Sequence, residues 1–173
     1  MEIKFLTEPD KYYDQLMAML IEADDDFVPP LSARYSNKQD DLTSFEKTSD
    51  GFKKYLEGML HGKIIAAVEN GKICGFVSYT EDLLFKHIDE SKLPNIYINT
   101  LIVSKDCRGR GITKLMYDEL FETYKHANIY TRTWSTNNAH IKILGKYGFG
   151  TLAVLKDDRG PGIDTVYFEK KAK

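Results

Sequence analysis

The sequence predicts an α/β domain in which four helices flank a central mixed, mostly antiparallel sheet of about seven strands. Three observations predict it. Asn70-Gly71 separates two apolar, β-branched runs, the strongest short-range hairpin signal, so the strands on either side run antiparallel. An apolar run over residues 95–104 leads through Gly109-Arg110-Gly111 into an amphipathic helix and then into another strand-like run. Hairpins beside one such strand–helix–strand unit make the sheet mixed. The third observation is length. A chain of 173 residues suits one domain with a substantial core, against the usual ~100–200 residues per domain. No linker, repeat or low-complexity stretch divides residues 1–173.

The elements follow in order. Residues 3–7 alternate apolar and polar and read as a first strand. Leu16, Met17, Leu20 and Ile21 mark one face of a helix over 10–23, which Asp24-Asp25-Asp26-Phe27-Val28-Pro29-Pro30 ends. From there to residue 50 the chain is polar with few apolar anchors, and reads as a mobile or substrate-side loop. Phe52, Tyr55, Leu56, Met59 and Leu60 recur at helical spacing, with Gly62 as the expected C-cap. Strands are expected over 63–69, 72–81 and 95–104. The helix over 111–125 has Leu115, Met116, Leu120 and Phe121 as its expected buried stripe. A strand over 128–134, a helix over 137–147, a strand from 148 to about 155, a turn over 157–162 and a last strand over 163–169 complete the chain.

Composition excludes several classes. Apolar residues at 42% and charged residues at 29% are those of an ordinary soluble globular protein. A net charge of −2 gives no reason to expect nucleic acid or an anionic membrane as partner. Cys74 and Cys107 lie far apart and form no metal or redox spacing, so no metal is expected. The N-terminus is no signal peptide, and no stretch approaches the ~18 apolar residues of a membrane span. The expected location is cytoplasmic.

The most informative segment is Leu101-Ile102-Val103-Ser104-Lys105-Asp106-Cys107-Arg108-Gly109-Arg110-Gly111-Ile112-Thr113. The first amides of a helix lack intrahelical partners, and the helix dipole adds positive charge there. Glycines at 109 and 111 remove Cβ atoms that would keep a pyrophosphate from those amides, and Arg108 and Arg110 can add charge-assisted hydrogen bonds. A plain strand–helix connection is the alternative reading. The loop is not a Walker A loop, which needs Gly-Lys-Ser/Thr, and it lacks the third glycine of the dinucleotide fingerprint, since position 114 is Lys. It resembles the (Gln/Arg)-x-x-Gly-x-(Gly/Ala) loop of the GNAT acetyltransferase superfamily, with Asp106 where the leading Gln or Arg stands.

A second motif agrees. Asn137-Asn138-Ala139-His140-Ile141-Lys142-Ile143-Leu144-Gly145-Lys146-Tyr147-Gly148-Phe149 is similar to the family's Asn-x-x-Ala-x-x-x-Tyr-x-x-x-Gly-Phe. His140 replaces the alanine and Leu144 the tyrosine, often the general acid. The resemblance spans essentially the whole chain and implies acetyl-CoA as co-substrate. It implies that the strand carrying Leu101, Ile102 and Val103 splays from the strand over 128–134, with the acyl-pantetheine arm in the V between them. Residues Arg108, Gly109, Arg110, Gly111, Ile112 and Thr113 would hold the phosphates, and Asn137, His140 and Leu144 would face the coenzyme. Asn137 has a second reading as helix N-cap, with Thr136 as rival. His140 is more often a surface helix histidine than a base.

Acid and base are the weakest links. Tyr147 is a substitute for the missing tyrosine or a packing residue, about 60° around the helix from Leu144. The strand before the loop carries no carboxylate, so the amine's proton leaves through a water held by Asn99 or Thr100, or reaches an acid from elsewhere: Glu81, Asp82 or Asp164. The expected function is acetyl transfer to a small-molecule or peptide amine by direct attack in a ternary complex, in a monomer or homodimer. The runner-up is a non-catalytic acyl-CoA-binding or sensor domain, and the third reading a structural domain whose glycine turn is only a turn.

Overall fold

The computed structural model describes residues 1–39, 41–42 and 50–172; the rest of the polar segment up to residue 50 lies outside them. Among the described residues the sheet has seven strands: β1 (Glu2–Phe5), β2 (Lys63–Glu69), β3 (Lys72–Glu81), β4 (Asn95–Val103), β5 (Asn128–Trp134), β6 (Gly150–Leu155) and β7 (Thr165–Lys170). Their spatial order is β1-β2-β3-β4-β5-β7-β6. Every neighbouring pair is antiparallel except β4–β5, which the crossover helix makes parallel. Asn70 and Gly71 both take positive φ, 52° and 78°, as the tight hairpin turn demands.

The α-helices are α1 (Tyr13–Glu22), α2 (Gly51–Leu60), α3 (Ile112–Thr123) and α4 (Asn138–Lys146). On one face of the sheet α3 and α4 set Ile112, Met116, Tyr117, Leu120 and Leu144 against Ile65, Val77, Ile96 and Ile129. On the other, α1 and α2 set Leu16, Leu20, Tyr55 and Leu56 against Ile64, Phe76 and Ile102. Each such side chain contributes about 1.5–3 kcal/mol when fully buried, so both faces are firmly held.

Three expectations of detail are corrected. Leu115 is 42% exposed and Ile21 55% exposed. The buried line of α3 runs through 112, 116 and 120 at steps of four, with Tyr117 beside it. Leu115 stands off that line. Gly62 is not a left-handed C-cap, because His61 caps α2. Its role is steric: a Cβ there would meet the Tyr79 carbonyl oxygen of β3 at 2.6 Å. The described part of the polar segment is packed, with Leu31 and Leu42 fully buried and Arg34 largely so.

Candidate active site

The site begins where one ladder ends. β4 and β5 pair from Asn95↔Asn128 to Ile98↔Thr131 and no further. Beyond that point β4 stays with β3 and β5 with β7, so the two strands diverge. The divergence has a local cause. β3 pairs Ser78 with Thr100 and Tyr79 with Ile98, leaving Asn99 as an inserted residue. Such a bulge bends and twists its strand. It sits at the apex of the V.

The V is a cleft of about 330 Å³. One wall is β4 from Ile98 to Val103, and the other is β5 from Thr131 to Trp134. Asn137, His140 and Ile143 of α4 close the α3/α4 side, while Asp26 and Phe27 reach in from the turn after α1. Val103, Arg108, Thr113 and Ile143 also line a second groove, of about 560 Å³, between the N-terminus of α3 and α4. Gly109, Gly111, Ile112 and Tyr147 line that groove too. Cleft and groove are therefore continuous.

The glycine loop turns as expected, for a more local reason. Gly109 and Gly111 take φ of 75° and 72°, and a Cβ on either would meet no protein atom within 4 Å. The glycines are needed for a left-handed backbone. Gly111 is the N-cap of α3 and no side chain caps the helix, so its first amides stay available to an anion.

The two arginines part company. Arg108 donates to the Val103 carbonyl at 3.2 Å and to Asp26 at 2.7 Å, at the junction of cleft and groove. Arg110 turns away and grips Glu69 at the end of β2 through two bonds of 3.1 and 2.8 Å. That pair holds the Glu69 carboxyl below its ordinary range, chiefly through the hydrogen bond. Arg110 lines neither cavity, which corrects its expected place beside Arg108.

On α4, Asn137 is the N-cap: its Oδ1 accepts from the His140 amide at 3.3 Å and its Nδ2 donates to Thr133 Oγ1 at 3.0 Å. It also lines the cleft, and Thr136 is not the cap. His140 is half-buried. Its Nε2 lies 2.8 Å from the hydroxyl of Tyr117, and burial pulls its pKa from 6.5 down to about 4. Leu144 is fully buried in the core, and it is Ile143 that faces the cleft. Tyr147 sits in the outer groove and donates to Asp118 at 2.9 Å. Burial and that carboxylate push its hydroxyl up to about 12, and Tyr147 lines the groove and not the cleft.

On β4, Thr100 is buried with its hydroxyl 2.8 Å from that of Tyr55 on α2. Asn99 accepts from Thr80 at 3.0 Å, while its Nδ2 is buried without a partner among the described residues. None of the expected acids lines the cleft. Glu81 is paired with Lys63 and takes the Tyr124 hydroxyl proton bond. Asp82 accepts from the Asn95 amide, and Asp164 is paired with Lys156. The carboxylate the described cleft contains is Asp26, which nothing in its local sequence signals.

The far wall is aromatic and cationic. Phe27 and Trp134 pack at 5.6 Å between centroids. Arg34 lies over Phe27 and Arg159 over Trp134. Both guanidiniums are buried, and they hold the Pro29 and Val28 carbonyls respectively. Arg159 ties the β6–β7 turn to the segment after α1, which Arg34 braces within itself, so the two segments meet at this end of the cleft. No helix among the described residues is long and apolar enough to cross a membrane.

Known proteins share this architecture. The structure is similar to the ribosomal-protein-alanine N-acetyltransferase of Brucella melitensis, at 18% identity and a TM-score of 0.70 over 99% of both chains. It is also similar to an N-acetyltransferase from Staphylococcus aureus Mu50, at 15% identity and a TM-score of 0.69 over 100% of both. An aminoglycoside 6′-N-acetyltransferase complexed with coenzyme A matches at 14% identity and a TM-score of 0.68, over 98% of this chain and 96% of that one. At such identities these likenesses speak for the fold. No curated protein matches the sequence. The model of the Acetyltransferase (GNAT) family matches residues 20–149, and with the splayed strands and the uncapped glycine-loop helix now described, this chain belongs to that family of acyltransferases.

Proposed function

We propose that this protein transfers an acetyl group from acetyl-CoA to the amine of a small-molecule or peptide acceptor, by direct attack in a ternary complex. The observation that carries the proposal is the continuity of two spaces: the groove at the uncapped N-terminus of α3 opens, past Arg108 and Ile143, into the V between β4 and β5. The free amides of α3 and the Arg108 guanidinium suit a pyrophosphate, and the β4 edge beyond Ile98, released from its ladder, suits an amide-bearing arm. Acetyl-CoA, when bound, supplies the activated thioester.

The chain's own residues do the rest. The β4 backbone and Asn137 orient the donor along the cleft. Phe27, Trp134 and Arg132 at the other end shape the acceptor's place, so the two reactants meet at the bulge of Asn99. Holding two reactants in register can supply several kcal/mol of the barrier, and this cleft is built for that more than for acid–base work. The amine's proton passes to water at the open mouth beside Asp26.

Binding is the first test. A ligand at a hundred times its Kd stabilises by ~2.7 kcal/mol, which for a chain of this size is a rise of roughly 5–10 °C in melting temperature. Gly111→Val should abolish that rise, because a β-branched residue resists the left-handed φ that aims the amides. No rise in the wild type at millimolar acetyl-CoA would overturn the proposal. A rise without thiol release on any amine of a broad panel would leave an acyl-CoA-binding domain.

A further inference from the structure

We propose that His140, presenting its Nδ1–H to the cleft, donates the hydrogen bond that stabilises the departing thiolate, and that Tyr117 is the positioning residue that fixes this tautomer. The proposal rests on the acyl-transfer reading. In that transfer the amine nitrogen bonds to the thioester carbon, the C–S bond breaks, and its electron pair leaves on sulfur. The proton lost by the amine ends on sulfur by way of water. Until it arrives the sulfur carries negative charge, and a donor already in place lowers the cost of that charge.

Most polar side chains of the described cleft are engaged elsewhere, which leaves His140 with Thr113, Thr133 and Trp134 as its available donors. Of these His140 is the one that stands on α4 beside Ile143. The cleft contains no tyrosine, cysteine or lysine. Thr100 is tied to Tyr55, Thr131 donates to the Ile98 carbonyl, and Asn137 Nδ2 donates to Thr133. Arg108 is held by Asp26 and the Val103 carbonyl, and Arg132 by Tyr167 and the Gln39 carbonyl. Asn99 Nδ2 has no partner among the described residues, and its Oδ1 accepts from Thr80 on β3, so the test below includes it as a rival donor. His140 lies on α4, one turn before Ile143, which lines both the groove and the cleft. An arm that runs from the α3 N-terminus into the V passes Ile143 and enters the cleft that His140 lines.

The tautomer follows from Tyr117. Its side chain is fully buried in the core, and among the described residues its hydroxyl has one hydrogen-bond partner, His140 Nε2 at 2.8 Å. If Nε2 carried the proton, the hydroxyl would accept and its own O–H would be buried with nothing to meet, a cost of roughly 1–3 kcal/mol. If the hydroxyl donates, both groups are satisfied and the imidazole proton stands on Nδ1. Burial raises the Tyr117 hydroxyl and lowers His140, so the tyrosine keeps its proton and the histidine stays neutral. The two rings lie nearly parallel, at 28°, and His140 lines the cleft.

The test needs no substrate at first. Long-range ¹H–¹⁵N correlation spectra of the free, labelled protein at pH 7 should show His140 neutral with Nδ1 protonated. In Tyr117→Phe the signal should move to the Nε2–H form or to a mixture, with kcat down tenfold or more and the KM for acetyl-CoA within twofold. His140→Leu should lose about a hundredfold in kcat, and His140→Gln, whose amide can still donate, should recover most of it. An Nε2–H tautomer in the wild type overturns this inference while leaving the acyltransferase reading intact. So does a His140→Leu variant with unchanged kcat, or an Asn99→Ala variant that alone carries the loss. Absence of acetyl-CoA binding and of turnover removes the reading beneath it and the inference with it.

Discussion

The neutral histidine beside Tyr117 makes a prediction about stability that requires no ligand. His140 titrates at about 4 in the folded protein against 6.5 when unperturbed. A histidine whose folded pKa is lowered binds its proton less readily in the native state, so the unfolded chain takes up more protons between those two values. Stability is therefore complete above pH 6.5 and falls as pH drops towards 4. Two and a half units at 1.36 kcal/mol each set an upper figure of about 3 kcal/mol. His140 lines the cleft and is half-buried, so about 2 kcal/mol is the working value. The perturbation is His140→Gln, which removes the titrating group and keeps an acceptor for the Tyr117 hydroxyl. Urea unfolding of both proteins at pH 7.5, 6.0, 5.0 and 4.5 isolates the histidine, since every other carboxylate and imidazole is common to the two. The wild type should lose about 2 kcal/mol relative to the variant between pH 7.5 and 4.5. A difference flat within about 0.5 kcal/mol, or one that grows above pH 6.5, refutes the burial argument.

The remaining predictions concern the groove. Arg108→Ala should weaken coenzyme A tenfold or more by calorimetry and leave phosphate-free pantetheine within twofold, because Arg108 stands where cleft and groove join. Arg110→Ala should change neither by more than about twofold, since its guanidinium belongs to Glu69; equal losses from the two substitutions would show that Arg110 swings to the phosphates. Tyr147→Phe should keep turnover within tenfold, a loss below ~1.4 kcal/mol in barrier; a thousandfold fall with fold and affinity intact would make Tyr147 the acid after all.

Much of the fold is legible in the sequence because it is written in local patterns. Asn70-Gly71 marks the hairpin, the glycine pair marks the entry to α3, and apolar spacing marks the helices. What is lost is whatever depends on a partner far away in the chain. Polarity makes the segment after α1 read as a loose loop. Yet Arg34 and Arg159, 125 positions apart, are buried together over Phe27 and Trp134 because backbone carbonyls satisfy them. Leu115 reads as core because leucine usually is. Only the sheet's position shows that the line through Ile112, Met116 and Leu120 is the inward one.

The site divides in the same way. The phosphate loop is contiguous, so its glycines and Arg108 can be found by reading along the chain. The V is not contiguous: it exists because β4 carries one residue more than β3 opposite Ser78 and Tyr79, and no residue in Asn95–Val103 announces that count. The same inserted residue exchanges the faces of the strand beyond it. Tyr97 and Thr100 therefore both point towards the α2 side, three positions apart, where strict alternation would oppose them. Thr100 thus meets Tyr55 and is withdrawn from chemistry, while the cleft receives Asn99 and the backbone around Leu101. The sequence places His140 towards the coenzyme but hides its hydrogen-bonding state, for a related reason. Its environment is made by Tyr117, one element earlier and 23 positions away, and the helix pattern of α3 gives that tyrosine no mark beyond burial. A pattern along one element can say which residues face inward; which of them then meet, and with what proton between them, is decided by the packing of α3 on α4.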